Sequence, residues 1–176
     1  MKLLAFAASS SSKSINKQLA SYAASLVTHA DGVEVEILDI NDYEMPLFSQ
    51  DKEEVLGQPE QAKAFYAKIG QADAIIISFA EHNGSYTAAY KNLFDWTSRI
   101  DQKLFQNTPM VLLATSPGPG GAATVLTAAT GSAPYFAGDV KSSLSIPSFY
   151  DNFDMDKQII SNPELLDKLQ SALALL

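Results

Sequence analysis

The chain has no cysteine among its 176 residues. That absence removes disulfides, thiolate zinc sites, cysteine-ligated iron–sulfur clusters and cysteine nucleophiles together. Basic side chains are scarce as well, with 12 Lys+Arg against 20 Asp+Glu and a formal net charge of -8. Such a surface has no excess of cations to displace counterions from phosphates, so a general nucleic-acid binder is excluded as a reading. The two histidines, His29 and His82, stand far apart, and no carboxylate spacing turns either into a metal site. The acidic stretch from Asp151 to Asp156 lacks the glycine turn and closing glutamate of a calcium loop. No apolar run approaches the roughly 18 residues of a membrane span. Also missing are the Gly-x-Ser-x-Gly elbow of serine hydrolases and the glycine-rich loops of Walker and dinucleotide sites. Residues 1–8 are apolar but run directly into Ser9-Ser10-Ser11-Ser12. They read as the first strand of a cytoplasmic protein rather than as a signal peptide.

What is present is an ordinary globular composition, 47% hydrophobic and 18% charged. The length suits one domain, at about 150 residues per domain, with a single core. Residues 3–8, 74–79 and 110–114 are continuous apolar runs, as expected of strands buried on both faces. Residues 33–38 and 141–146 alternate instead, which suits strands with one wet face. Helical spacing is read over residues 14–30, with Ser14 as cap, over 59–71, and over 87–100. A helix of small residues is read after the loop at 115–121, with Pro119 placed to start it. The last helix is read from a capping box at Ser161-Asn162-Pro163-Glu164. Residues 40–57 read as irregular, broken by Asp42, Pro46 and Gly57. Strands and helices alternating in this way predict an α/β fold. It is a doubly wound five-stranded parallel sheet of flavodoxin-like order 2-1-3-4-5, in one domain over residues 1–176, with the alternating strands at the edges.

Ligands of open parallel sheets bind beyond the carboxyl ends of the strands. Three loops leave those ends near the centre of this sheet. The first, from Ser9 to Asn16, offers hydroxyls and backbone N–H groups at a helix start, which suits either a phosphate cradle or a simple capped serine loop. The second, Glu81-His82-Asn83-Gly84-Ser85, contains a turn pair that accepts positive φ. The third, Thr115-Ser116-Pro117-Gly118-Pro119-Gly120-Gly121, lets a flat ligand approach the main chain. Together they suggest a phosphate at the first loop and a planar ring between the other two.

These loops resemble those of the NADPH-dependent FMN reductase family, flavodoxin-like enzymes that include bacterial chromate, quinone and azo reductases. The family's first loop, Gly-Ser-x-Arg-x-x-Ser-x-Asn, is matched by Ala8 to Asn16. Its second, Pro-Glu-Tyr-Asn-Gly-Ser followed by Leu-Lys-Asn-x-x-Asp-Trp, is matched by Ala80 to Ser85 and by Tyr90-Lys91-Asn92-Leu93-Phe94-Asp95-Trp96. The resemblance spans residues 2–150 and implies FMN as cofactor, with NADPH or NADH as co-substrate. It implies that Ser9, Ser14, Ile15 and Asn16, with Ser11 beside them, hold the FMN phosphate. Glu81, His82, Asn83 and Gly84 then run along the isoalloxazine ring, with Ser116 and Gly118 at its other edge. Ser11 stands where the family has arginine, leaving Lys13 or Lys17 to compensate as point charges. Ala8 replaces glycine, Ala80 proline and His82 tyrosine.

The implied activity is hydride transfer from NAD(P)H through FMN to a flavin, quinone or similar small acceptor, by a homodimer or homotetramer. The chemistry belongs to the cofactor, so no residue is a firm catalytic acid or base, and His82 is the weak candidate. Two alternatives stand beside it: a flavodoxin-like electron carrier, which the acidity suits, and a flavin-free regulatory relative. Three further expectations concern residues outside the loops. His29 is read as a cation near a helix C-terminus, and Trp96 as a packing residue. Lys91, Asp95 and Arg99, at i, i+4 and i+8, are read as an ion-pair ladder or a subunit contact.

Overall fold

A computed structural model of the chain describes residues 1–27 and 32–176. His29 lies outside the described residues. Five strands, β1 (Lys2–Ala8), β2 (Glu34–Leu38), β3 (Ala74–Phe79), β4 (Pro109–Thr115) and β5 (Asp139–Ile146), form one parallel sheet in the order β2-β1-β3-β4-β5. The order is the one expected from hydropathy, and for the expected reason. The isoleucines of β3 are sealed on both faces, whereas β2 and β5 keep exposed positions because each has a neighbour on one side only.

Successive side chains of a strand point to opposite faces, and this splits the core in two. Leu4, Phe6, Ile75, Ile77 and Leu112 face a layer built from α3 (Glu60–Gln71), α4 (Ala88–Thr97) and α5 (Ala123–Ser132). Leu3, Ala5, Ile76, Val111 and Leu113 face α1 (Ile15–Val27) and α6 (Pro163–Leu173). Helices on both faces leave the carboxyl ends of β1, β3 and β4 as the open rim on which loops gather.

Several boundaries move. Residues 40–57 are not wholly irregular: a 3-10 turn at Ile40–Tyr43 is followed by α2 (Gln50–Leu56), whose N-terminus is capped by Ser49 accepting from the Lys52 N–H at 3.2 Å. The α2 helix buries no residue, so it carries no apolar periodicity to read. The α4 helix stops at Thr97, and Ile100 falls in the turn beyond. The α5 helix begins at Ala123, not at Pro119, because residues 118–121 close a turn first, with the Gly121 N–H donating to Gly118 O at 3.2 Å. The α6 helix is capped by Asn162 rather than Ser161. Asn162 Oδ1 accepts from the N–H groups of Glu164 and Leu165, placing Pro163 at the first helical position. The acidic stretch near Asp154 forms a small antiparallel pair, Phe153–Asp154 with Ile159–Ile160, and the Asp154 carboxylate accepts from the N–H groups of Asp156 and Lys157. Those bonds hold its pKa below the usual carboxylate range, that from Lys157 first.

Candidate functional site

Eight of the eleven residues singled out from the loops line one open cleft with about 600 Å³ of free space: Ser9, Ser11, Ser14, Ile15, Asn16, Glu81, His82 and Ser116. Asn83, Gly84 and Gly118 lie outside its walls.

The first loop is built to donate. Ser9 Oγ accepts from the Ser11 N–H, Ser11 Oγ from the Lys13 N–H, and Ser14 Oγ from the Lys17 N–H, at 3.3, 3.3 and 3.2 Å. Each hydroxyl oxygen thus accepts one local bond and keeps its own proton to donate. No acidic residue enters the first turn of α1, so the partial positive charge of the helix start is not cancelled locally. An oxyanion suits this set of donors.

Asn16 stands at the second position of α1. Its side chain turns inward and is 2% exposed as part of the residue. Asn16 Nδ2 donates to Thr115 O at 3.1 Å, while Oδ1 accepts from Ser78 Oγ at 2.8 Å and from the Thr115 N–H at 3.1 Å. Thr115 Oγ1 continues the network to Ile146 O at 2.7 Å. The network ties the start of α1 to the ends of β3, β4 and β5, and leaves the Asn16 backbone N–H as its offering at the helix start. It also explains a hydroxyl, Ser78, in an otherwise apolar central strand.

The second loop is a two-residue hairpin, with Glu81 opposite Tyr86 and His82 opposite Ser85. Asn83 and Gly84 take φ of 52° and 74°, the left-handed pair that twists such a hairpin correctly. Glu81 Oε2 accepts from the Val125 N–H at 2.8 Å. The α5 helix starts at a left-handed Ala122 with no side-chain cap, so Glu81 supplies from another strand the acceptor its own sequence lacks. His82 is exposed.

In the third loop, a Cβ added at Gly118 or Gly120 would meet nothing within 4 Å, so the main chain there is open to a flat ligand. Gly121 serves the fold: its φ is 57°, and a Cβ would lie 2.2 Å from Ser145 Oγ and 3.0 Å from Pro147 Cα.

Two features escaped sequence reading. Tyr150 lines the cleft although it follows β5, an edge strand outside the central three. Its signal was positional, since the loop after β5 also leaves a carboxyl end. The second is the role of the motif's Asn92, whose Oδ1 accepts from the Phe48 N–H at 2.8 Å and whose Nδ2 donates to Met45 O at 3.1 Å. Trp96 Nε1 donates to Pro46 O at 2.7 Å, and its buried ring packs edge-to-face on Phe48. The Lys-Asn-x-x-Asp-Trp motif is therefore largely a staple on residues 45–48, and Trp96 is the packing residue expected. On its outer side Lys91 pairs with Asp95 at 2.7 Å, but the ladder ends there: Arg99, beyond the helix, binds Glu53 of α2 at 2.9 Å. Lys17 is engaged by Asp39. That pairing, with the Asn41 N–H, holds the Asp39 carboxyl below its ordinary range.

Comparison with known proteins fits this geometry. A 2-hydroxy-1,4-benzoquinone reductase of a Burkholderia species is 37% identical over 111 residues, covering 62% of this chain and 57% of that protein. An NADPH:quinone oxidoreductase of Arabidopsis thaliana is 34% identical over 90 residues, covering 51% of this chain and 44% of that one. The matched region thus spans about half the length of these relatives. Among solved structures, the flavoenzyme NAD(P)H:acceptor oxidoreductase FerB of Paracoccus denitrificans superposes with a TM-score of 0.75 at 23% identity, covering 98% of this chain and 93% of that one. This shows a shared fold. The model of the NADPH-dependent FMN reductase family matches residues 1–149, and the chain belongs to that family.

Proposed function

We propose that the protein is an FMN-dependent oxidoreductase that moves hydride from NADPH or NADH to a small acceptor of the flavin or quinone class, with residues 1–176 acting as one FMN-binding unit. The observation that carries the reading is the cleft at the carboxyl ends of β1, β3 and β4. One end is lined by hydroxyl and amide donors with no acidic residue in the helix turn, and the adjoining turn is left open by Gly118 and Gly120. These features fit a phosphate joined to a flat ring.

FMN, when bound there, supplies the two-electron chemistry. The chain's own residues bind and orient. Ser9, Ser11 and Ser14 would hold the phosphate through their hydroxyls, and the Ile15 and Asn16 N–H groups would add the helix-start donors. The hairpin would hold the ring through Glu81 and His82, with Asn83 and Gly84 as its turn, and Ser116 with the adjoining Gly118 would hold it from the third loop. Glu81 holds the hairpin against α5 through the Val125 N–H. His82 is an exposed wall of the cleft and the weak candidate for a proton-handling role.

Two subunits or four complete the reading, in the cytoplasm, where reduced nicotinamide is at hand. Leu47, Val55 and Leu56 support an oligomer: all are exposed, Leu47 within the segment stapled by α4 and the other two at the end of α2. Among the described residues no helix is long and apolar enough to cross a membrane.

The test is the visible spectrum of purified protein before and after FMN addition and desalting. A protein-bound flavin spectrum that bleaches anaerobically with NADPH or NADH is the expected result. Bound flavin that does not bleach points to an electron carrier, and no retained flavin overturns both redox readings. Light scattering on the same sample reads the number of subunits.

A further inference from the structure

We infer that Lys13 and Tyr150 close the anionic end of the cleft and together replace the arginine that the family's first loop carries and this chain lacks. The inference rests on the flavin reading above and assigns residues that the reading left open.

The charge has few possible sources. Arg99 is the chain's sole arginine, and it is bound to Glu53 far along the sequence from the first loop. Lys17 points to Asp39 and does not line the cleft. Lys13 does line it, in the turn between Ser11 and Ser14, and makes no ion pair among the described residues. It is the one cation of the cleft wall.

Tyr150 lines the same cleft beside the third loop, to which the two residues before it are bonded. Ser148 takes a left-handed φ of 45°, unusual for a residue with a side chain. The strain is held by two bonds to the third loop: the Ser148 N–H donates to Gly118 O at 2.9 Å, and the Phe149 N–H donates to Ser116 O at 3.0 Å. Phe149 is fully buried, and the Tyr150 ring stands edge-to-face on it at 5.5 Å. The residue itself remains 59% exposed, and its hydroxyl has no partner among the described residues. An aromatic ring left this open is not there to fill the core. Strain at a cleft wall is a reason to ask what the wall holds. The Tyr150 phenol and the Lys13 ammonium line the same cleft as the serine O–H donors of the first loop, and each is a donor free to meet an oxyanion. An ammonium attracts phosphate as a point charge without the planar fork of a guanidinium, so the hold on phosphate is more sensitive to salt.

The experiment compares FMN with riboflavin, which shares the ring and lacks the phosphate. Binding to flavin-free protein is followed by flavin fluorescence for wild type, Lys13→Met and Tyr150→Phe, at low and high salt. Lys13→Met is expected to weaken FMN roughly tenfold, to leave riboflavin within about twofold, and to flatten the salt dependence. Tyr150→Phe keeps the ring and is expected to weaken FMN roughly fivefold with riboflavin unchanged. In wild type, inorganic phosphate should displace FMN and not riboflavin. Either variant changing both flavins equally, or neither, overturns the assignment for that residue. A thermal melt identical to wild type shows that the variant is folded. Wild type binding neither flavin sinks the proposed function itself, a result distinct from failure of the variants.

Discussion

Asn16→Ala separates two roles that the sequence left merged. A side chain whose task is to hold a phosphate contributes little to a protein without one. The structure instead makes Asn16 a lock between the first loop and the ends of β3 and β4. Truncation removes three buried hydrogen bonds, from Nδ2 to Thr115 O and from Ser78 Oγ and the Thr115 N–H to Oδ1. At about 1 kcal/mol net per bond, with a further cost for polar groups left unsatisfied in the core, the loss is about 3–5 kcal/mol. For a chain of this length, about 2–4 °C of melting temperature accompanies each kcal/mol, so the flavin-free protein should melt about 6–20 °C lower. Urea unfolding should give the same loss from the midpoint at unchanged slope. Ser78→Ala removes one bond and leaves Oδ1 its second donor, so it should cost about 1 kcal/mol. The double variant should cost less than the sum of the two singles, because they share that bond. A flavin-free Asn16→Ala protein that melts within about 2 °C of wild type would refute the lock and return the side chain to the phosphate.

Ser11→Arg restores a guanidinium to the first loop and should tighten FMN by roughly tenfold without tightening riboflavin, as read by fluorescence titration. Gly121→Ala should cost at least about 2 kcal/mol, from the left-handed backbone and the 2.2 Å approach to Ser145 Oγ, measured by urea unfolding. Gly118→Ala, with open space around it, should leave stability within about 0.5 kcal/mol while weakening FMN and riboflavin alike, as a methyl group at the ring edge would. Asp39 has a pKa depressed chiefly by the Lys17 hydrogen bond. It therefore contributes stability that is present above the unfolded carboxylate value of about 3.9 and is lost as pH falls through the lower folded value. Asp39→Asn should lower the melting temperature at neutral pH and flatten its decline below about pH 4.

What could be read in the sequence and what could not divide along a physical line. Strand order followed from hydropathy because burial is a property of one strand's own residues: three isoleucines in succession need cover on both faces, and alternation needs it on one. The positive φ at Asn83 and Gly84 was legible for the same local reason, since few other pairs accept it. The site is different, because its parts are joined across the chain. Asn16 has the residue type of a loop ligand, and only the position of Ser78 and Thr115 shows that its side chain is already satisfied. Glu81 has the residue type of a ring contact, and only the bare start of α5 shows what else it does. The missing guanidinium was plain in the sequence, but choosing between Lys13 and Lys17 required Asp39, which approaches from the end of β2. Tyr150 was hidden most completely. It follows the edge strand, away from the switch point where doubly wound sheets bind their ligands, and it reaches the cleft because Ser148 bends the chain back onto Ser116 and Gly118. The family's match ends at residue 149, one position before it. In this fold the loop after an edge strand reaches the cleft as readily as the central three when a bend such as Ser148 turns it back along the carboxyl rim.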